Sequence, residues 1–229
     1  MNIKVLYENK DFVICVKPCL VPSQPDLSGD EDMTSLLNEH FRADGEKATA
    51  FVVHRLDRCT GGVMVYAKSK GACSYLSGIV ADKDRFTKEY LAVVSGTPSP
   101  LEGRFEDCLF RDSASGKAYV VSGCRKGAKK ASLDYSTLAT QEERNCSLVG
   151  IRLNTGRFHQ IRIQFASRKM PVLGDGKYGS REKLGGIALW TYRIGFSYGG
   201  KSYSFAELPD TTQKVWNFFD LGKILQKNT

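Results

Sequence analysis

No apolar run in the 229 residues approaches the roughly 20 needed to cross a bilayer. The opening MNIKVLYENKDF carries charge where a signal peptide keeps its apolar stretch, so the sequence by itself reads as soluble, intracellular and cytoplasmic. Histidine is scarce. His40, His54 and His159 are the whole complement, and their spacing does not suit a metal site. Cys-x-x-Cys is absent too, so no structural zinc and no other metal is expected. The seven cysteines lie mostly in apolar runs such as FVICV and CSLVGIRL and read as reduced core residues. Without an internal repeat, low-complexity stretch or linker, residues 1–229 are expected to form one domain.

What the chain has is a core and a basic excess. It is 41% hydrophobic, which excludes a disordered chain, and 33 basic against 25 acidic side chains give a net charge of +8. A folded protein with a polyanionic partner fits both.

Periodicity places a strand pair in the first 17 residues, KVLYE and DFVICVK, then a break through Lys17-Pro18 and a polar loop from Ser23 to Asp32. Asp32 to Thr34 can cap a helix over MTSLLNEHF with Leu36, Leu37 and Phe41 on one stripe. FVV at 51–53 and GVMVYAKS at 62–69 read as buried strands joined by the polar HRLDRCT, and a helix is expected over 71–82. TKEYLAVVSG is a strand, as are segments around 117–121, 131–138 and 146–153. ALWTYRIGF and KSYSFAEL suggest a hairpin through Gly199-Gly200, and TQKVWNFFDLGKIL an amphipathic helix with Val215, Phe218 and Phe219 inward. Most connections are too short for helical crossovers. The expected class is therefore α+β, a long mixed and mostly antiparallel sheet flanked by helices.

Four segments could carry chemistry. In His54-Arg55-Leu56-Asp57-Arg58-Cys59-Thr60-Gly61-Gly62 a carboxylate sits at a strand end between two arginines, suited to acid, base or nucleophile work. Spacing alone equally permits a surface turn in which Asp57 pairs with Arg55 or Arg58. In Asn154-Thr155-Gly156-Arg157-Phe158-His159-Gln160-Ile161-Arg162, Thr155 and Gly156 can start a helix that buries Phe158 and Ile161 and offers His159 and Arg162 beside them. Solvated arginines are the plainer outcome there. Tyr90 of KEYLA either faces a cleft or packs in the core. VLGDGKYG is a Gly-rich turn that does not pass from strand to helix as a dinucleotide fingerprint must. The basic runs at 125–130, including Lys129 and Lys130, and at Lys177, Arg181 and Lys183 are candidate phosphate contacts.

Taken together and in this order, these segments resemble the RluA-type family of RNA pseudouridine synthases over roughly Asp11 to Asp210. HRLDR with TGG is similar to the family's catalytic-aspartate motif, KEYLAVVSG to its tyrosine strand, TGRFHQIRI to its third motif and VLGDGKYG to the turn after it. DFVICVKP resembles the opening strand with its Lys-Pro. The chain departs at Cys19-Leu20, where a small residue and glycine are frequent, at Gly61, where serine is, and at Trp190-Thr191, where His-Ala is usual. The S4 domain that many relatives carry in front is expected to be absent.

The resemblance implies the pseudouridine synthase catalytic fold and an isomerase that turns a uridine of structured RNA, ribosomal or transfer, into pseudouridine without a cofactor. It implies Asp57 as the essential carboxylate, Arg162 as the cation that pairs with it, and Tyr90 as the ring that stacks on the target base and helps remove the C5 proton. Leu189 would pack on the same base, and Arg55 would enter the gap left by the extruded nucleotide. His54, Arg157, His159, Gln160, Lys129 and Lys130 complete the expected substrate contacts. A monomer is expected, with no membrane partner. The alternative is an RNA-binding or RNA-folding factor whose catalysis is incidental; a metal phosphodiesterase built on Asp57 and Asp175 would need ligands that the sequence does not cluster.

Overall fold

Continuous apolar runs decide the first ladder. β1 (Lys4–Glu8) and β2 (Phe12–Lys17) pair antiparallel, with Lys4 opposite Val16, and β2 pairs with β4 (Gly61–Ala67), with Ile14 opposite Val65. The computed structural model describes residues 3–80, 82, 84–210 and 213–227. Within it the chain forms two compact units, Met1–Lys88 with Thr191–Glu207, and Glu89–Trp190 with Leu208–Thr229. The chain passes from one to the other inside β5 (Phe86–Ser95) and inside β10 (Leu189–Tyr198).

In the first unit the order is β1-β2-β4-β10, with the short β3 (Phe51–Val52) beside β4 and β11 (Lys201–Ala206) beside β10. Every residue of β2 and β4 is buried, because both faces are covered. On one face Phe12, Ile14, Val63 and Val65 meet Ala72, Leu76 and Ile79 of α2 (Lys70–Ile79), together with Phe86, Ile194 and Phe196. Burying each such side chain contributes roughly 1.5–3 kcal/mol. Tyr7 of β1 lies 5.3 Å from Phe205 and 5.8 Å from Tyr203 of β11, ring centre to ring centre, so aromatics join the two ends of this ladder. The α1 helix (Met33–Ala43) starts where Asp32 accepts the N–H groups of Thr34 and Ser35, and it buries the expected Leu36, Leu37 and Phe41 together with Met33.

In the second unit the order is β5-β9-β8-β6-β7, where β6 is Glu102–Asp112, β7 Lys117–Val121, β8 Ala128–Gln141 and β9 Cys146–Leu153. The register places Tyr90 opposite Ile151 and Tyr135 opposite Ile151 from the other side. Phe105, Tyr135 and Phe165 pack ring to ring beneath α3 (Gln160–Ser167). The architecture is α+β, with antiparallel pairs wherever register is defined and few helices beside the strands.

The structure corrects five expectations. β6 is a strand that periodicity does not announce: charges occupy both its faces, and it is held by ladders to β7 and β8 on its two edges. The 71–82 helix ends at Ile79; Ala81 lies outside the described residues. Thr155 and Gly156 do not start a helix, because α3 begins at Gln160 after His159 turns left-handed, φ 52°. The C-terminal helix is broken into a 3-10 turn (Trp216–Phe218) and α4 (Leu221–Lys227), with Trp216 buried in place of Phe218; Thr212 lies outside the described residues. Finally, the cysteines are not all free. The antiparallel pairing of Cys108 with Val121 brings the chain back so that Cys108 and Cys124, Cα atoms 5.3 Å apart, form a disulfide; the other five are thiols.

Candidate active site

Asp57 stands half-buried on the turn between β3 and β4, and the turn is braced from three directions. From below, Ser23 Oγ donates to Leu56 O (3.0 Å) and accepts from Leu56 N (3.1 Å), while Tyr66 donates to Ser23 O (2.9 Å). Within the turn, Thr60 N–H closes on Asp57 O at 2.9 Å. From the side comes Lys17, a lysine with no exposed surface. Its ammonium donates to the carbonyls of Pro18 (2.9 Å), Val21 (2.6 Å) and Arg58 (3.1 Å). Three donors meet three acceptors, which satisfies a charge that could not otherwise be buried. Burial still pushes the Lys17 pKa down to about 8, against the opposing pull of Cys19, Cys59 and Asp57.

The flanking residues divide sharply. Arg55 is exposed. Arg58 is not spent on a phosphate: its Nε donates to Leu20 O (3.0 Å), Nη1 to Ser28 Oγ (3.0 Å) and Nη2 to Asp30. His54 is buried against Phe86, accepts from Val65 N at 3.5 Å, and is held neutral by burial and by the nearby Lys88 charge, its pKa pushed down to about 3. Its placement is that of a wall behind the turn. Gly62 has φ +123°, and a Cβ there would lie 2.3 Å from Thr191 O; only glycine lets β4 approach β10 so closely.

In the second unit the arginine expected to be catalytic is buried and paired. Arg162 of α3 donates from Nε to Asp175 Oδ2 (2.6 Å) and from Nη2 to Asp175 Oδ1 (2.9 Å), with its guanidinium 5.1 Å over the Tyr178 ring. The plainer reading of a solvated helical arginine is thereby overturned. Asp175 lies in the Gly-rich turn, whose Gly174 (φ +82°) would put a Cβ 2.3 Å from Gly186 O. His159 Nδ1 lies 2.8 Å from Tyr178 Oη, and its ring stacks on Phe158. Gln160 is turned inward: its Oε1 accepts from Thr155 Oγ1 (2.7 Å) and Arg157 N (3.0 Å), and its Nε2 donates to Ser132 O (3.0 Å). It shapes the loop before α3. Arg157 Nε reaches Lys130 O at 2.9 Å, so Arg157, Lys130 and the neighbouring exposed Lys129 form one basic surface. Tyr90 and Leu189 are buried, 6% and 4% exposed.

Three residues with structural weight here, Lys17, Ser23 and Asp175, are absent from the expected site. Lys17 leaves a trace in the sequence as a lysine closing an otherwise apolar strand, and Asp175 as the carboxylate of the VLGDGKYG turn; Ser23 leaves none. Among the described residues, Glu8, His40 and Asp44 are the one cluster of three candidate metal ligands, and Lys68 already binds Glu8 at 2.7 Å. No helix among the described residues is long and apolar enough to cross a membrane.

A family model described as RNA pseudouridylate synthase matches residues 11–167, which take in the Asp57 turn, the Tyr90 strand and Arg162. The chain belongs to that family. As a pseudouridylate synthase family member it is 31% identical, over 211 residues, to the ribosomal large subunit pseudouridine synthase D of Borreliella burgdorferi, covering 88% of this chain and 63% of that protein. It is 32% identical over 183 residues to the dual-specificity RNA pseudouridine synthase RluA of Salmonella typhi, covering 79% and 78%. The chain spans less than two thirds of the B. burgdorferi relative and of a Bacillus subtilis relative, YhcT, of which it covers 60%. Among solved structures, human RNA pseudouridylate synthase domain containing 1 superposes with a TM-score of 0.76 at 21% identity, over 99% of this chain and 94% of that one. Human domain containing 4 gives 0.75 at 23%, over 90% and 88%. These two share the fold.

Proposed function

We propose that this protein isomerises a specific uridine in structured RNA, ribosomal or transfer, to pseudouridine, acting as a single cytoplasmic catalytic domain over residues 1–229, as a monomer. The observation that carries the reading is Asp57, a carboxylate on a turn fixed by Ser23, Thr60 and a buried ammonium, inside the segment that matches the family. Breaking the bond from C1′ to N1, turning the base and joining C1′ to C5 leaves the composition unchanged: the C5 proton passes to solvent and N1 gains a proton in its place. No oxidant, cofactor or metal is required for that balance. Asp57 supplies the carboxylate that attacks the nucleotide or takes a sugar proton, Tyr90 the ring beside the base, and Arg162 a guanidinium already oriented by Asp175. The exposed cations Arg55, Arg157, Lys129 and Lys130 supply phosphate contacts that offset the few kcal/mol needed to extrude the base.

The test is tritium release from RNA labelled at uridine C5. Release by the wild-type protein and none by Asp57→Asn is expected; equal release from both would defeat the assignment. The exposed basic run at 125–130 favours a second reading, an RNA-binding or RNA-folding factor. That reading requires Asp57→Ala to restore growth in a deletion strain as well as the wild-type gene does.

A further inference from the structure

Leu20 combines a strained backbone with an exposed apolar side chain. Its φ is +69°, a left-handed conformation that glycine adopts freely and residues with a Cβ avoid. The side chain is nevertheless 51% exposed, so packing does not offset the strain. What fixes the residue is the Asp57 turn. Leu20 N–H donates to Arg58 O at 2.8 Å, and Leu20 O accepts from Arg58 Nε at 3.0 Å. The same guanidinium holds Ser28 and Asp30, so the loop that follows Leu20 is strapped to the residue next to Asp57. Leu27, near the far end of that loop, is fully exposed.

A strained residue that its surroundings hold in place, with no gain in burial, points to a functional surface. This one is apolar and bonded through its backbone to Arg58, the residue after Asp57, on a turn that also carries the exposed Arg55 in a chain of charge +8. A nucleobase whose neighbour has left the stack exposes an apolar face, and a branched aliphatic side chain can cover it. We propose that Leu20 is an RNA-contacting residue that packs on the base next to the extruded uridine, which makes the preferred substrate an RNA whose neighbouring nucleotide is unpaired or easily unstacked. This rests on the uridine isomerisation proposed above.

Wild type, Leu20→Gly and Leu20→Met are compared on bulk RNA from a strain lacking the gene, tritiated at uridine C5, with Tm and filter-binding affinity for the same RNA measured alongside. Glycine relieves the backbone, so Leu20→Gly is expected to keep its Tm or gain up to about 4 °C. The same variant should lose roughly tenfold in kcat/KM and bind the RNA more weakly, while Leu20→Met stays near wild type. Undiminished activity and affinity in Leu20→Gly would overturn the inference. So would a joint loss of activity and Tm, which marks a purely structural leucine. If the wild type releases no tritium, the isomerase reading falls by itself; weaker RNA binding by Leu20→Gly would then still support the contact, and unchanged binding would remove it.

Discussion

Arg162 and Asp175 face each other in two parallel hydrogen bonds, 2.6 and 2.9 Å, with both side chains almost wholly buried. A buried pair of this kind is weak evidence for net stability, but removing one partner typically costs about 3–5 kcal/mol. Asp175→Asn is therefore expected to lower the urea midpoint sharply. A variant with an unchanged midpoint would show that the guanidinium has another adequate partner.

Lys17 gives a pH signature. Its pKa falls from 10.5 to about 8 on folding, mainly through burial. Between those values the unfolded chain holds the extra proton, so the contribution of this residue to stability is fully present above pH 10.5 and is lost as pH falls through 8. The span amounts to about 3 kcal/mol. Stability measured from pH 7 to 10.5 should rise more in wild type than in Lys17→Met, and parallel curves would refute the assignment. Activity should move the other way above pH 8, because a neutral amine has two hydrogens for three carbonyls.

Gly62→Ala places a methyl group 2.3 Å from the Thr191 carbonyl, at a φ that alanine resists. The expected cost is at least ~2 kcal/mol, seen as a lowered Tm or as insoluble protein. A Tm within a degree of wild type would mean that β4 and β10 can separate without loss.

The disulfide is countable. Thiol titration of the denatured, unreduced protein should find five groups among seven cysteines. The bridge closes a 16-residue separation, so its reduction is expected to cost roughly 3 kcal/mol. Seven reactive thiols would show that the bond is not formed.

Lys129 and Lys130 should act through phosphate. Replacing both by glutamine is expected to weaken RNA binding and flatten the dependence of log affinity on log salt by roughly 1.4–1.8. An unaltered slope would place this surface away from the nucleic acid.

Most of the architecture was readable because burial leaves a period. Phe12 to Val16 and Gly61 to Ala67 are apolar throughout, and Asp32 announces its helix by the Thr34 and Ser35 that it caps. Where hydrogen bonds alone define an element, the period is lost: β6 lies between two ladders with charges on both faces, and the break before α3 comes from the Gln160 amide bonding back to Thr155 and Arg157. The site was legible as motifs but not as mechanics. Asp57 and Arg162 stand out by residue type, whereas the partnership of Arg162 with Asp175 and the caging of Lys17 by carbonyls join distant positions that share no spacing.

The sheltering of Lys17 also makes it a reporter. Acetic anhydride or an active ester will decorate outward lysines such as Lys126, Lys129 and Lys130 in the folded protein and spare the amine enclosed by Pro18, Val21 and Arg58. The rate at which mass spectrometry finds the Lys17 amine acylated is then a clock for how often the segment around Asp57 breathes open.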